Sequence, residues 1–507
     1  MRGPFRSWRD RLLLAASLVA ASSGALAEPP AVDAARLPAI GTVDARFQSY
    51  NIEMVEVTGG WFWKPYRSKP DPPASPPPPG IDSRLFKYRP PIDLRNSRLR
   101  KLAAALGPAF VRVSGTWANS TYFADKDDAP PTPAGFKGVL TRAQWYGVID
   151  FARAVDAAIV TSFSISAGTR DSAGLWTTDQ AKRLLEYTFA IGGRIAAAEF
   201  INEPDLASSI GGAPPDYDAA AYARDFKVFE AFIRQAAPGL LVLGPGTSGG
   251  VSSAADLMAA SVPGLDVVSY HHYGTLSERC IGTSKPEAAL SEPWLSLTDR
   301  SQAFYRALRD RYAPGKPIWL TETAQAACGG DRWAASFLDT FRYLDQLGRL
   351  AKAGVQVVMH NTLAASDYGL LDENTMQPRP DYWGALVWRR LMGTTVLDSG
   401  VPLQAGLHVY AHCQRGTPGG VALLVINTDR DAAHALMIPM ASLRYTLDAA
   451  DLGDRQVRLN GRILSLGAED ELPTLAGMPA TANTTMTFGP ATISFLAIPG
   501  AGNEACR

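Results

Sequence analysis

The run Ala196-Ala197-Ala198-Glu199-Phe200-Ile201-Asn202-Glu203-Pro204 starts apolar and is stopped by an amide, a carboxylate and a proline. Its length and abrupt polar end read as a strand meeting a loop rather than as a helix. A second run of the same shape is Lys316-Pro317-Ile318-Trp319-Leu320-Thr321-Glu322-Thr323. Working outward, further strand-like runs fall at 46–55, 109–115, 157–166, 240–246, 265–273 and 354–362, which makes eight in all. Helical patterns separate them, among them 142–155, 179–192, 222–237 and 332–353. Eight β/α alternations predict an α/β fold closed as a (β/α)8 TIM barrel. The chain carries no strand–GxGxxG–helix fingerprint, which argues against an open dinucleotide-binding sheet.

Beyond about residue 393 the helical period fades. Short strands are expected at 407–413, 421–429, 436–441, 445–449, 457–464, 485–490 and 491–499, a β-sandwich pattern. The domain reading is therefore a barrel over 45–392 and a sandwich over 393–507, with residues 28–44 adding an N-terminal strand to the sandwich. At 507 residues the chain is too long for one ordinary core. Residues 1–27 read as a signal peptide: Arg2, Arg6, Arg9 and Arg11 precede an apolar run at 12–21 and the small-x-small site Ala25-Leu26-Ala27. An exported, periplasmic or secreted protein without membrane insertion is expected. Four cysteines suit an oxidising compartment and allow three pairings. Cys413 and Cys506 share the C-terminal part, and Cys280 and Cys328 both follow barrel strands. The expected bridges are Cys280–Cys328 and Cys413–Cys506. Lys and Arg number 49 against 49 Asp and Glu, so no global field points to nucleic acid.

One loop stands apart. Residues 61–101 are proline-rich and carry ten Lys/Arg (64, 67, 69, 84, 87, 89, 95, 98, 100, 101) against Asp71, Asp82 and Asp93. The segment follows a barrel strand and so belongs at the C-terminal face, where barrel active sites lie. Trp61, Trp63 and Tyr66 offer sugar-stacking surfaces. The loop reads either as a cationic wall for an acidic substrate or as a solvated loop leading into a basic helix.

Glu203 and Glu322 end strands four and seven, so a closed barrel brings both to one rim. Paired carboxylates about 5–5.5 Å apart perform glycoside hydrolysis with retention. Glu203 suits the acid/base, with its proton held by burial and a neighbouring carboxylate. Glu322 suits the nucleophile, and Asn202 a contact to the sugar 2-OH. The competing reading is two structural carboxylates. Tyr273 is placed to hydrogen-bond Glu322, and His271 or His272 to line the site or to pack structurally. Adjacent histidines on a strand point opposite ways, so no metal or other cofactor is expected. Gly329 and Gly330 allow backbone N–H groups to approach an anion or form a plain turn. Tyr368, in Ser366-Asp367-Tyr368-Gly369, would complete a carboxylate pocket. Arg112 either orients the catalytic carboxylates and depresses the nucleophile's pKa or forms a structural ion pair.

The motifs Ile201-Asn202-Glu203-Pro204, Trp319-Leu320-Thr321-Glu322-Thr323, Tyr270-His271-His272-Tyr273 and the segment YGLLDENTMQPRPDYWGALVWRRLMGT at 368–394 resemble the heparanase-like enzymes of glycoside hydrolase family 79. Arg112-Val113-Ser114-Gly115-Thr116 is similar to their second strand, with Ser114 replacing a common Gly. The resemblance implies a barrel plus a sandwich built from both termini and retaining cleavage of β-linked glucuronic acid. It implies Glu203 as acid/base and Glu322 as nucleophile. It implies Gly329, Gly330 and Tyr368 as uronate contacts, although Cys328 falls where a Gly is often found. Glu53 maps onto an acidic contact of the first strand. No long excisable linker is evident, which implies a single-chain enzyme active without processing, and a monomer is expected. The expected activity is endo-β-glucuronidase action on an acidic polysaccharide, heparan sulfate or heparin. The alternatives are an exo-β-glucuronidase, a hyaluronan-type glucuronidase, an arabinofuranosidase or xylosidase on the same scaffold, and a non-catalytic carbohydrate-binding ectodomain.

Overall fold

The structure, a computed structural model, describes residues 29–67, 82–249 and 251–507. The signal peptide expected at 1–27 lies outside them. Among the described residues no helix is long and apolar enough to cross a membrane.

Eight parallel strands close into a barrel in chain order: Gln48–Glu53, Ala109–Ser114, Ala157–Thr161, Ile195–Glu199, Leu241–Thr247, Val267–Tyr273, Ile318–Ala324 and Val357–His360. They are called strands one to eight below. Strand eight closes on strand one with Met359 opposite Ser49. Helices Arg142–Ala154, Asp179–Ala190, Ala219–Ala236 and Phe337–Lys352 follow strands two, three, four and seven. Thr141 and Gln144 start the first of these by capping each other's backbone N–H, a sequence-local signal.

Strand alternation sorts the barrel interior into layers. The lower layer is apolar: Phe110, Val160, Ala197, Leu243, Val267 and Trp319 pack together with Val357 and Met359. Two residues further along the strands the interior turns polar, with Arg112, Glu199, Ser269 and Thr321, all buried. The apolar floor excludes water beneath this charged layer, which strengthens every electrostatic interaction in it.

Several strands are shorter than the sequence suggests. Strand four was expected over 196–204 but ends at Glu199, so Asn202 and Glu203 sit on the loop beyond it. Asn119 takes over the lost ladder there: its Oδ1 accepts from the Asn202 N–H at 2.9 Å and its Nδ2 donates to the Asn202 carbonyl at 2.7 Å. A side chain that satisfies both backbone groups frees the chain to leave the sheet.

The C-terminal part is an antiparallel sheet running Ala39–Thr42, Met392–Leu397, Leu407–Gln414, Val421–Asn427, Thr492–Ile498 and Ser442–Asp448, with shorter strands at its end. The N-terminal strand therefore does join it. A two-stranded sheet, His434–Ile438 with Thr484–Phe488, covers one face. Leu423, Leu436, Phe488 and Leu496 fill the space between the layers. Leu424, Ile426 and Phe495 point the other way, into the core shared with the barrel helices. Both expected disulfides are formed.

Candidate active site

Arg112 is the hub of the polar layer and is 1% exposed. Its Nε and Nη2 donate to Glu199 Oε2 at 3.0 and 2.8 Å, and its Nη1 donates to Glu322 Oε2 at 2.8 Å. Nη2 also donates to Asn202 Oδ1 at 2.8 Å and lies 3.3 Å from His271 Nε2. One guanidinium thus ties together strands two, four, six and seven. A buried charge of this kind is sustained only by such pairing.

Glu322 is 6% exposed. Its second oxygen accepts from the Tyr273 hydroxyl at 2.6 Å. Burial pushes its carboxyl up. His271, Arg112 and the hydrogen bonds from Tyr273 and Arg112 outweigh burial and hold it below the ordinary value. Glu203 is 9% exposed, and its backbone is in the left-handed region at φ 45°. Burial holds the Glu203 carboxyl above its ordinary value and the Glu322 charge adds to this, although a hydrogen bond from His271 opposes both. The two carboxylates are thus driven in opposite directions. An oxygen of each and a ring nitrogen of His271 all lie within 4.8 Å of one another.

His271 sits between them. Its Nδ1 is 3.0 Å from Glu203 Oε1 and 3.7 Å from Glu322 Oε2. In its neutral form the ring accepts from Arg112 at Nε2 and donates from Nδ1 to Glu203. Glu203, His271 and Glu322 are also spaced as cation ligands, a grouping the sequence argument about adjacent histidines did not consider. The Arg112 guanidinium, in contact with both His271 and Glu322, already supplies the positive charge there.

His272 corrects the sequence reading. It points outward, its Nδ1 2.8 Å from Ser301 Oγ, and burial holds its pKa at about 4. Alternation along strand six sends His271 and Tyr273 inward and His272 to the surrounding helices.

Glu53 closes strand one and is buried beside Glu322. Burial, and then the Glu322 charge, push it well above the carboxylate range. Asn361 Nδ2 gathers this side of the site, contacting Glu53 Oε1 at 3.2 Å, the Tyr273 hydroxyl at 3.0 Å and the Tyr368 hydroxyl at 3.3 Å. Gly115, at φ 91°, admits the Glu53 carboxylate, because a Cβ built there would stand 1.6 Å from Oε2. Gly329 and Gly330 both have positive φ. Gly330 donates its N–H to the Ala326 carbonyl at 3.1 Å, so that N–H is not free for an anion, as the sequence reading required. Its part is the bend that packs on Tyr368.

The basic loop is partly neutralised. Arg84 pairs with Asp82, Lys87 with Glu373, Arg89 with Glu56, Arg98 with Asp470 and Arg100 with Asp150. Lys69 lies outside the described residues; of the nine described cations, five are spent on carboxylates, which weakens the proposed cationic wall. Trp63 and Tyr273 both pack against the buried cluster that contains Tyr368. Tyr66 lies under the Arg279 and Arg332 guanidiniums, 4.0 and 4.5 Å from its ring centroid, and so is not an open stacking surface.

Sequence reasoning missed Glu199, Asn119 and Asn361. Glu199 was legible in principle: it lies on the same strand face as Ala197, and a buried Arg112 needs a counter-charge. It accepts from Ser269 Oγ at 2.8 Å and Thr321 Oγ1 at 2.7 Å as well as from Arg112. Burial raises its pKa, but Arg112, His271 and these hydrogen bonds win, and it stays below the ordinary value.

With this geometry established, comparison with known proteins is informative. The family model described as glycosyl hydrolase family 79, N-terminal domain, matches residues 91–348. Mouse heparanase is 31% identical over 68% of this chain and 67% of its own. Heparanase-like protein 1 of Arabidopsis thaliana is 27% identical over 82% of this chain and 86% of its own. The hyaluronoglucuronidase of Hirudo nipponia is 26% identical over 82% and 92%. Among solved structures, a family 51 α-L-arabinofuranosidase of Thermotoga petrophila RKU-1 superposes with TM-score 0.65 at 14% identity, covering 92% of this chain and 99% of its own. A 4-O-α-L-rhamnosyl-β-D-glucuronidase of Fusarium oxysporum 12S gives TM-score 0.63, also at 14% identity, over 93% and 99%. These two establish the fold alone.

Proposed function

The chain belongs to glycosyl hydrolase family 79 and is a glycoside hydrolase, and from the geometry of its site we propose that it cleaves β-linked glucuronic acid with retention of configuration. The observation that carries this reading is the Glu203–Glu322 pair, with carboxylate oxygens within 4.8 Å and pKa values driven apart. This closeness suits a direct attack and leaves no room for the intervening water of inversion.

Glu203 gives its proton to the glycosidic oxygen as the bond to C1 breaks. Glu322, ionised and aimed by Arg112 and Tyr273, bonds to C1. The aglycone leaves with the Glu203 proton. Water then attacks C1, Glu203 takes the water's proton, and Glu322 departs as carboxylate. Glu203, His271 and Asn202 change partners around one buried hydrogen-bond set, so little reorganisation is needed.

Glucuronide chemistry is supported by the similarity to a heparanase and a hyaluronoglucuronidase and by Tyr368 beside the Gly329–Gly330 turn. The substrate class we assign is acidic glycans of the heparan sulfate and hyaluronan type, together with other β-glucuronides. The expectation of internal cleavage rests on the basic loop, and the pairing of five of its cations with carboxylates weakens that support. Proton NMR of an aryl β-glucuronide digest tests the reading: the β-anomer of glucuronic acid should form first, and the α-anomer first would refute retention. Glu203→Gln should lower the rate by about 10²–10⁴-fold on substrates with poor leaving groups.

A further inference from the structure

Four loops meet at Arg279. It follows strand six and adjoins Cys280, which is bridged to Cys328. Its Nη2 donates to Asp367 Oδ2, after strand eight, at 2.9 Å and reaches the Gly330 carbonyl, after strand seven, at 3.5 Å. Its Nη1 donates to the Lys64 carbonyl, after strand one. The Arg279 guanidinium lies on the Tyr66 ring, and its backbone N–H donates to the Tyr66 hydroxyl at 3.3 Å. The Tyr66 N–H in turn donates to Asp367 Oδ2 at 2.9 Å. The Arg279 and Asp367 side chains are 6% and 1% exposed. Burying an ion pair contributes little net stability, but Asp367 Oδ2 accepts from both the Arg279 guanidinium and the Tyr66 N–H, which fixes the loops after strands one, six and eight relative to one another.

What it fixes is a wall. The hairpin of Gly60–Trp63 and Phe86–Arg89 lies across the turn after strand seven. Trp63 covers Gly329 so closely that a Cβ built at Gly329 would stand 2.6 Å from Trp63 Cβ. Strands four and eight are diametrically placed in the ring of eight, so Glu203 and Asp367 belong to opposite sides of the rim. In a pyranose, C4 lies across the ring from C1. With C1 between Glu203 and Glu322, a sugar lying across the rim would turn its O4 toward Glu53, Tyr368 and this wall.

We infer that the Arg279–Asp367–Tyr66 latch ends the pocket one sugar beyond the scissile bond, so that the enzyme takes non-reducing-terminal β-glucuronosyl residues and releases them singly. The inference rests on the glucuronidase reading above, and the test separates the two. The substrates are p-nitrophenyl β-D-glucuronide and a reducing-end-labelled hyaluronan oligosaccharide in two forms, one ending in glucuronic acid and one capped by N-acetylglucosamine. The aryl glucuronide should be hydrolysed, the uncapped chain should shorten by one residue and stop, and the capped chain should keep its length. Labelled fragments of intermediate length from the capped chain would overturn the latch. If the aryl glucuronide, both chains and heparan sulfate all stay intact, the glucuronidase reading itself fails. Arg279→Ala and Tyr66→Ala, each checked for an unchanged thermal melt, should gain cleavage of the capped chain. If both fold and neither gains it, the latch is not the barrier.

Discussion

At the residue scale the site is a set of charges whose signs depend on one another. Glu322 is held low and Glu203 high, so kcat/KM should follow a bell: the acid limb is set by protonation of Glu322 and the alkaline limb by loss of the Glu203 proton. His271 lowers both carboxyls. Replacing it with Asn removes that effect from each, so both limbs should move to higher pH, and limbs that stay fixed would separate His271 from the proton chemistry. Arg112→Gln leaves Glu199 and Glu322 buried without their counter-charge and should cost about 3–5 kcal/mol of stability in a urea titration. Tyr368→Phe should raise KM for a glucuronide more than for the matching neutral glucoside, and an equal loss on both would place the uronate elsewhere.

At the element scale, what the sequence conveys is period and what it hides is register. The eight barrel runs are legible because each is short, apolar and cut off by polar residues. Their ends are not, because non-local partners decide them. Strand four stops at Glu199 because Asn119, 83 residues upstream, binds the Asn202 backbone on both sides. Asn119→Ala should lower kcat more than it raises KM, since it aims Glu203 without forming the substrate pocket. It should also destabilise by about 1–3 kcal/mol for the two orphaned backbone groups. Strand seven holds a second hidden feature. Tyr270 pairs with Leu320 and His271 with Glu322, so the register skips Thr321. This slip lets Thr321 reach Glu199 while the adjacent Glu322 also faces the barrel interior. Strict alternation would have sent one of them outward. The functional motif was visible in the sequence, but the device that lets it point inward was not.

At the scale of the whole molecule, the barrel and the C-terminal sheet are joined by buried charge as well as by apolar packing. Asp345, on helix Phe337–Lys352, accepts from His408 Nδ1 at 2.6 Å and from the Tyr410 hydroxyl at 2.5 Å, both on strand Leu407–Gln414. Arg349 adds hydrogen bonds to Asp345, Asp299 and Glu292. Burial lowers the His408 pKa, but Asp345 outweighs it and the net direction is up. The stability His408 contributes is therefore fully present below its unfolded pKa of about 6.5 and lost as pH rises through the folded value. Burial raises Asp345, but His408 and Arg349 bring it below its ordinary value, so its contribution is lost as pH falls through that value. His408→Gln should flatten the decline of Tm on the alkaline side, and an unchanged profile would remove His408 from the junction's energetics. The contact between the two parts was not legible beforehand, because Asp345 lies more than sixty positions from His408 and Tyr410 and no local pattern links them.

The proposed mechanism depends on Glu322 as the nucleophile at C1. Treating the enzyme with a 2-deoxy-2-fluoro-β-glucuronosyl fluoride slows release of the covalent intermediate, and peptide mapping by mass spectrometry locates it. One glycosyl adduct, on Glu322, is the predicted result. An adduct on another carboxylate, or turnover of the reagent with no adduct and inverted product, would contradict it.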